Sequence, residues 1–348
     1  MAYTPIDKPS DYFNTALYTG NGTTNTTIAV GFQPDWVWLK KRSNADDHIL
    51  SDAVRGAPKY LISNNLGAEA TYAEGFKAFT SNGFTLGNAN NTNQNGQTFV
   101  SWNWKAGTAV SGTTSGSGTG KAYSGSVNTD AGFSIIKYLG NGSAGHTIPH
   151  HLGAVVKMII LKRLDASSNW STYHVGMGNG KSIPLNESEG ATTSTSFWND
   201  TTPTSSVFTV GSISNTNNNN SSIIAYSFAD VKGYSKFGSY VGNGSTDGPF
   251  INLGFKPAYF MLKGVSSESW NITDDKRNVS NPSGYFLYAN TTAAEYQAFT
   301  YSEMDFLSNG VKLRKSHEQM NTSGSEYVYM AFASNPFVTS TGIPGMAE

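Results

Sequence analysis

Tyr18–Thr19–Gly20–Asn21–Gly22 returns as Tyr138–Leu139–Gly140–Asn141–Gly142 and again as Tyr240–Val241–Gly242–Asn243–Gly244. A short phrase recurring at domain-sized intervals marks an internal repeat. The flanks agree. Gly31–Phe32–Gln33–Pro34 leads into Trp36–Val37–Trp38–Leu39–Lys40, and Gly254–Phe255–Lys256–Pro257 leads into Tyr259–Phe260–Met261–Leu262–Lys263. In the second copy His151–Leu152–Gly153 leads into Met158–Ile159–Ile160–Leu161–Lys162. Glycine permits dihedrals that side chains disfavour, and proline fixes the approach to a strand. Each run is apolar at consecutive positions, the pattern of a strand covered on both faces, and each ends in a lysine. Every copy closes on another β run, at residues 98–104, 223–228 and 327–332. The first and third of these follow Asn-x-x-Gly turns, Asn93 to Gly96 and Asn321 to Gly324; the second copy has Asn217–Asn218–Asn219–Asn220 there.

The expected fold class is therefore all-β: three tandem β-sandwich domains, jelly-roll-like or concanavalin-like, with few short helices. The expected boundaries are 11–106 for the first domain, 122–231 for a divergent second and 232–337 for the third, with a tail at 338–348. Residues 107–121, centred on Ser115–Gly116–Ser117–Gly118–Thr119–Gly120, read as a flexible Gly/Ser-rich linker. With almost no connection between the second and third domains, those two are expected to be the more rigidly related. The best helical window is Ala293 to Phe306, with Ala68 to Phe79 as its counterpart; each reads as one short helix or a decorated loop.

Charged residues make up 14% of the chain, well below the roughly 25% usual in soluble domains, so the polar surface must come from Asn, Thr, Ser and backbone. The formal charge of −1 gives little drive for nonspecific nucleic-acid binding, and no nucleic-acid partner is expected. With no cysteine, disulfides, Cys-based zinc sites and thiol catalysis are excluded. No run of 18 apolar residues predicts a spanning helix, so membrane insertion is not expected, and the N-terminus lacks the pattern of a signal peptide.

Asp52/Arg55 and Asp274/Arg277 recur in copies one and three. Such a pair can hold a ligand or an ion, or the arginine can bond carboxylate and carbonyls and lock a loop; recurrence favours the lock. Copy two offers no Asp-x-x-Arg that can be placed, and its polar stretch 182–203 reads as relaxed connection or as the seat of a special loop function. His48, His146, His150, His151 and His174 match no metal-ligand spacing, so no metal and no cofactor is expected. No G-x-S-x-G, P-loop, H-E-x-x-H or dinucleotide fingerprint occurs, and no catalytic residue is assigned. Among the tryptophans, Trp36/Trp38 and Trp102/Trp104 share strand faces and read as core. Trp170 and Trp198, near loops, are the candidates for a glycan platform. Tryptophan clusters also suit subunit contacts, so a homo-oligomer is expected, a trimer being one form of it.

Tyr18–Thr19–Gly20–Asn21–Gly22, Gly31–Phe32–Gln33–Pro34–Asp35, Asp52–Ala53–Val54–Arg55–Gly56 and Trp102–Asn103–Trp104–Lys105 together resemble a family of tailed-phage structural proteins, especially of marine phages. Gly233–Tyr234–Ser235–Lys236–Phe237–Gly238, Asp247–Gly248–Pro249–Phe250 and Ala331–Phe332–Ala333 add to the likeness, which covers residues 13–337. The resemblance implies a noncatalytic virion protein, a tail-fibre, capsid-fibre or surface component assembled in the bacterial cytoplasm. Other virion proteins and a host surface glycan would be its partners. The alternatives are a secreted carbohydrate-binding protein and a polysaccharide-degrading enzyme of the virion.

Overall fold

Alternation along one strand explains why the lysine-ended runs are apolar at every position. In a strand, successive side chains point to opposite faces. On Trp36–Lys41, Trp36 and Trp38 enter one hydrophobic cluster while Val37 and Leu39 enter another. On Val156–Arg163, Met158 and Ile160 face one way and Ile159 and Leu161 the other. On Phe255–Gly264, Tyr259 and Met261 oppose Phe260 and Leu262. The first face of all three strands lines a single common core.

The computed structural model describes residues 3–297 and 303–344, and it is all-β with few short helices. Each repeat has two layers. The large antiparallel sheet of the first repeat runs Phe13–Thr19, Thr98–Trp104, Trp36–Lys41, His48–Asp52, Lys59–Ile62, Ala70–Thr71. That of the third runs Ser235–Val241, Glu326–Pro336, Phe255–Gly264, Asn271–Asp274, Tyr285–Tyr288, Tyr296–Gln297 in the same order. Against each lies a three-stranded sheet, Thr26–Ala29, Gly83–Leu86, Phe76–Thr80 in repeat one and Phe250–Asn252, Gly310–Leu313, Met304–Leu307 in repeat three. The outer clusters fill these sandwiches. The inner faces of the large sheets meet one another. There Trp36 stacks on Tyr226 with ring centroids 4.4 Å apart, Phe13 on Phe332 at 5.1 Å, and Phe228 meets Phe332 edge-on at 6.1 Å. Each sandwich thus closes its own outer core, and the three also surround a shared aromatic interior. Contacts between repeats one and three make the arrangement a ring.

Two expectations change. The stretch 107–121 is not a flexible linker: Thr108–Thr113 pairs in register with Ala122–Asn128, and Ser115–Gly116 pairs with His146 and Thr147. Low hydrophobicity forecasts little burial, and these residues are mostly exposed, but main-chain pairing needs none. The hairpin covers the edge of the second repeat's sheet, an edge that Phe13–Thr19 and Ser235–Val241 leave open in the other two. Where described, the helical windows hold short strands joined by loop and no helix. Ala70–Thr71 pairs with Lys59–Ile62, Tyr296–Gln297 with Tyr285–Tyr288, and Phe76–Thr80 and Met304–Leu307 are hairpin arms. Residues 298–302 of the second window lie outside the described residues.

Candidate functional site

The repeated Asp–Arg pairs sit where one repeat meets the next. Asp52 ends the fourth strand of its sheet, fully buried; its Oδ1 accepts from the Arg55 backbone N–H at 2.8 Å and its Oδ2 accepts from Arg55 Nε. Arg55 also donates to the Leu50 carbonyl at 2.9 Å. Asp274 and Arg277 reproduce this, with Nε 2.6 Å from Oδ2 and Nη2 3.0 Å from the Ile272 carbonyl. A glutamate stands beyond each guanidinium, Glu69 at 3.6 Å and Glu295 at 3.5 Å. No lone pair of the inner carboxylate oxygen is left for a ligand: Tyr226 of repeat two donates to Asp52 Oδ2 at 2.7 Å, and Trp102 of repeat one donates to Asp274 Oδ2 at 3.0 Å. The pairs are clamps between neighbours.

Strand register places the missing member. Trp36 pairs with Asp52, Tyr259 with Asp274, and Met158 with His174. His174 therefore stands for the aspartate and Met177 for the arginine. Its Nδ1 accepts from Gly176 N–H at 3.1 Å and its Nε2 donates to the Tyr329 carbonyl of repeat three at 3.0 Å. Burial lowers this imidazole to about 4, so it is neutral near pH 7. Its residue type gave no signal, but its place did: it follows Met158 at the same distance along the chain as Asp52 follows Trp36.

Other bonds go around the ring in the same sense. Lys162 Nζ donates to the Leu66 carbonyl of repeat one, Lys263 Nζ to Ser188 of repeat two, and Lys40 Nζ to Thr292 of repeat three, at 2.8, 2.8 and 3.1 Å. Each lysine also bonds a carbonyl of its own repeat. Burial lowers all three to about 8. Trp170 Nε1 donates to the Ile62 carbonyl at 3.0 Å and Trp270 Nε1 to Pro184 at 2.8 Å. Backbone N–H groups of Glu69, Ala191 and Glu295 donate to Leu164, Val265 and Arg42.

Trp170 and Trp198 are 0% and 1% exposed. Neither presents a face to solvent, so the platform assigned to them is corrected. Trp170 is a seam residue, and Trp198 packs edge-on against Tyr173 in the outer core of repeat two. His48 and His146 are also buried, with His48 Nδ1 accepting from Trp38 at 2.9 Å and His146 bonded to Asn217 and Thr114. Among the described residues, no three His, Cys, Asp or Glu side chains gather as a metal centre, and no helix is long and apolar enough to cross a membrane.

Clefts in the second and third repeats carry ionisable groups. One, of about 230 Å³, lies in the second repeat and is bounded by Trp170, Ser171, Ser182, Glu187, Glu189 and Phe197. It opens beside the polar stretch 182–203. The hydrogen bond that the Glu187 carboxyl makes to Glu189 holds it above its ordinary range. The other, of about 220 Å³, is bounded by Lys256, Asp275, Lys276 and Asn281 in repeat three. Burial pushes Asp275 up to about 6. A broader groove of about 480 Å³ between repeats one and two is lined by Ala53, Val54, Ser111, Ser124 and Gly125 and has no titratable wall.

Residues 8–336 match the model of a family described as a domain of unknown function, DUF7483. No curated protein and no solved structure gives a significant match. The matched span runs across all three repeats and closes the ring, so the ring rather than the single sandwich is the unit of likeness, and the chain belongs to the DUF7483 family.

Proposed function

We propose that the chain is a noncatalytic structural protein of a phage particle, a tail- or capsid-fibre or other surface component that presents β repeats toward the host. The observation that carries this reading is the use of the repeated chemistry-bearing residues. Asp52, Arg55, Asp274, Arg277, Lys40, Lys162 and Lys263 are all bonded within the ring, which makes a stiff body of low charge. The likeness of its motifs to tailed-phage structural proteins supports the same reading. A rigid body presented in many copies converts weak individual contacts into strong attachment.

The polysaccharide-degrading alternative draws no support from the Glu187–Glu189 carboxylate pair at the cleft of the second repeat. Glycoside hydrolysis uses carboxyl groups about 5 to 9.5 Å apart, whereas Glu187 and Glu189 are in hydrogen-bond contact. The deciding experiment is a cryo-EM map of purified particles from the phage that encodes the chain, together with a reducing-end assay on host envelope polysaccharide. The reading expects the ring-shaped density on the particle surface and no sugar release. Absence of the chain from intact particles, or catalytic turnover by the purified chain, overturns it.

A further inference from the structure

We propose that the cleft of the second repeat is a calcium site, held by the carboxylates of Glu187 and Glu189 and completed by neutral oxygens, Ser171 Oγ among them. Contact with Glu189 makes the ionised form of Glu187 costly, and a cation bound between the two carboxylates removes that cost. No cationic side chain acts on Glu187. Lys263, whose ammonium bonds the Ser188 and Glu268 carbonyls, bears on Glu189 and supplies counter-charge to that carboxylate alone.

Ser171 supplies the independent sign. It is 98% buried, at 2% exposure, and its Oγ has no hydrogen-bond partner. It stands opposite Leu161 in register, hence on the outer face of its sheet, the side where Phe197 and the cleft lie. A buried hydroxyl without a partner is costly. A cation in the cleft would take that oxygen as a ligand.

The loop that carries the glutamates is held at both ends. Lys181–Ser182 pairs with Thr192–Thr193, Ile183 exchanges two backbone hydrogen bonds with Thr172, and Ala191 N–H bonds the Val265 carbonyl. Such anchoring fixes the backbone that carries the carboxylates. The pair also belongs to this repeat alone. Asn64, Asn186 and Asn290 correspond, because each side-chain oxygen accepts the backbone N–H of His48, Trp170 or Trp270. Counting on from them, the positions of Glu187 and Glu189 hold Asn65 and Gly67 in repeat one and Thr291 and Ala293 in repeat three. The same repeat carries Met177 and Ala191 where the others have the clamp arginine and its glutamate.

All-oxygen donors select a hard cation. The cleft is walled by carboxylate, hydroxyl and amide oxygens without histidine, and the chain has no cysteine. Calcium accepts six to eight such ligands in irregular geometry with water filling the remainder, whereas magnesium demands a near-ideal octahedron. With two carboxylates and an open mouth the dissociation constant belongs on the order of 10⁻⁴ to 10⁻³ M.

The test uses the full chain stripped with chelator and titrated with calcium chloride by calorimetry. A parallel titration follows terbium luminescence excited through the tryptophans, of which Trp170 bounds the cleft. One calcium per chain is expected, with terbium emission displaced by calcium. The E187Q/E189Q variant, whose substitutions lie at the cleft wall and leave the ring clamps intact, loses at least about tenfold in affinity. S171A loses less, with its circular dichroism unchanged, and D165N, on a different loop, binds as the parent does. No calcium binding by the parent up to about 10 mM, undiminished binding by the double variant, or tighter binding of magnesium than of calcium overturns the assignment.

Discussion

At position 174 an imidazole does the work of a carboxylate. Asp52 and Asp274 accept from a neighbouring side chain and from the next turn of backbone; His174 accepts from backbone with one nitrogen and donates across the seam with the other. Because a neutral imidazole offers one donor and one acceptor, no compensating arginine is needed, and Met177 and Ala191 occupy the guanidinium and carboxylate positions. The exchange makes this junction sensitive to acid. The folded pKa of about 4 lies below the ordinary 6.5, so the unfolded chain binds the proton first as pH falls. The stabilisation from His174 is whole above about pH 6.5 and drains away through about pH 4. His48, His146 and His150, lowered by burial, act in the same direction, while Asp275, raised to about 6, acts oppositely. The difference between parent and H174N isolates one group. In urea unfolding, the parent's advantage should shrink by about 3 kcal/mol between pH 7 and pH 4. A pH-independent difference would show that the imidazole is not held neutral. Motif matching could not reveal this substitution, since it sees letters and not the shared geometry of acceptor and donor.

The Gly-Asn-Gly turn is the element on which the repeats are built, and it was the most readable. Its two glycines serve different ends. A Cβ on Gly20, Gly140 or Gly242 would stand 2.2 to 2.3 Å from the carbonyl oxygen of Gln94, Asn218 or Thr322, so the chain approaches too closely for any side chain. Gly22, Gly142 and Gly244 have φ of +66°, +76° and +67° and are needed for conformation. Buried Asn93, Asn217 and Asn321 receive the N–H of the turn's asparagine and donate to two or more carbonyls around it. The tyrosine two positions before the turn ties down the residue preceding each of these asparagines; Tyr138 OH, for example, lies 2.6 Å from the Thr216 carbonyl. The Asn-for-Gly replacement at the end of the second copy's Asn run also has its cause: Asn220 sits at φ +60° where Gly96 and Gly324 have +73° and +77°, and asparagine tolerates that region.

Gly83 and Gly310 answer to a neighbouring strand, with Ile28 O and Ile251 O only 2.0 and 2.1 Å from where a Cβ would stand. Two consequences can be measured by thermal or chemical unfolding. N220G should leave stability within about 0.5 kcal/mol of the parent, whereas N220V should cost about 1–2 kcal/mol. G20A should cost at least about 2 kcal/mol, because backbone rather than a movable side chain is in the way. A neutral G20A would mean that the turn yields.

For the molecule taken together, what the sequence concealed was the relation between repeats. Trp36, Trp38, Trp102 and Trp104 were legible as core, but a residue list does not say whose core. Strands apolar on both faces indicated cover on both sides, and the second cover proved to be the other repeats. Since the common interior joins all three, they should unfold together. W36A, which removes a side chain stacked across the seam between repeats one and two, should lower stability by about 3–5 kcal/mol. It should do so in one transition, with hydrogen exchange accelerating in the closing strands 98–104, 222–229 and 326–336 alike. Exchange confined to the first repeat would argue for three independent bodies.

The seam between repeats three and one has no direct peptide connection, yet its Lys40, Trp102 and Glu295 bonds are those of the connected seams. The segments near the two ends of the described chain also meet, Ser340 N–H donating to Asp7 at 2.6 Å, and Tyr3 OH donates to the Gly254 carbonyl of repeat three at 2.8 Å. Which repeat counts as first is therefore a matter of the order in which the ribosome delivers them. A chain that delivered repeat three ahead of repeats one and two would face the same seam bonds in a circularly permuted order.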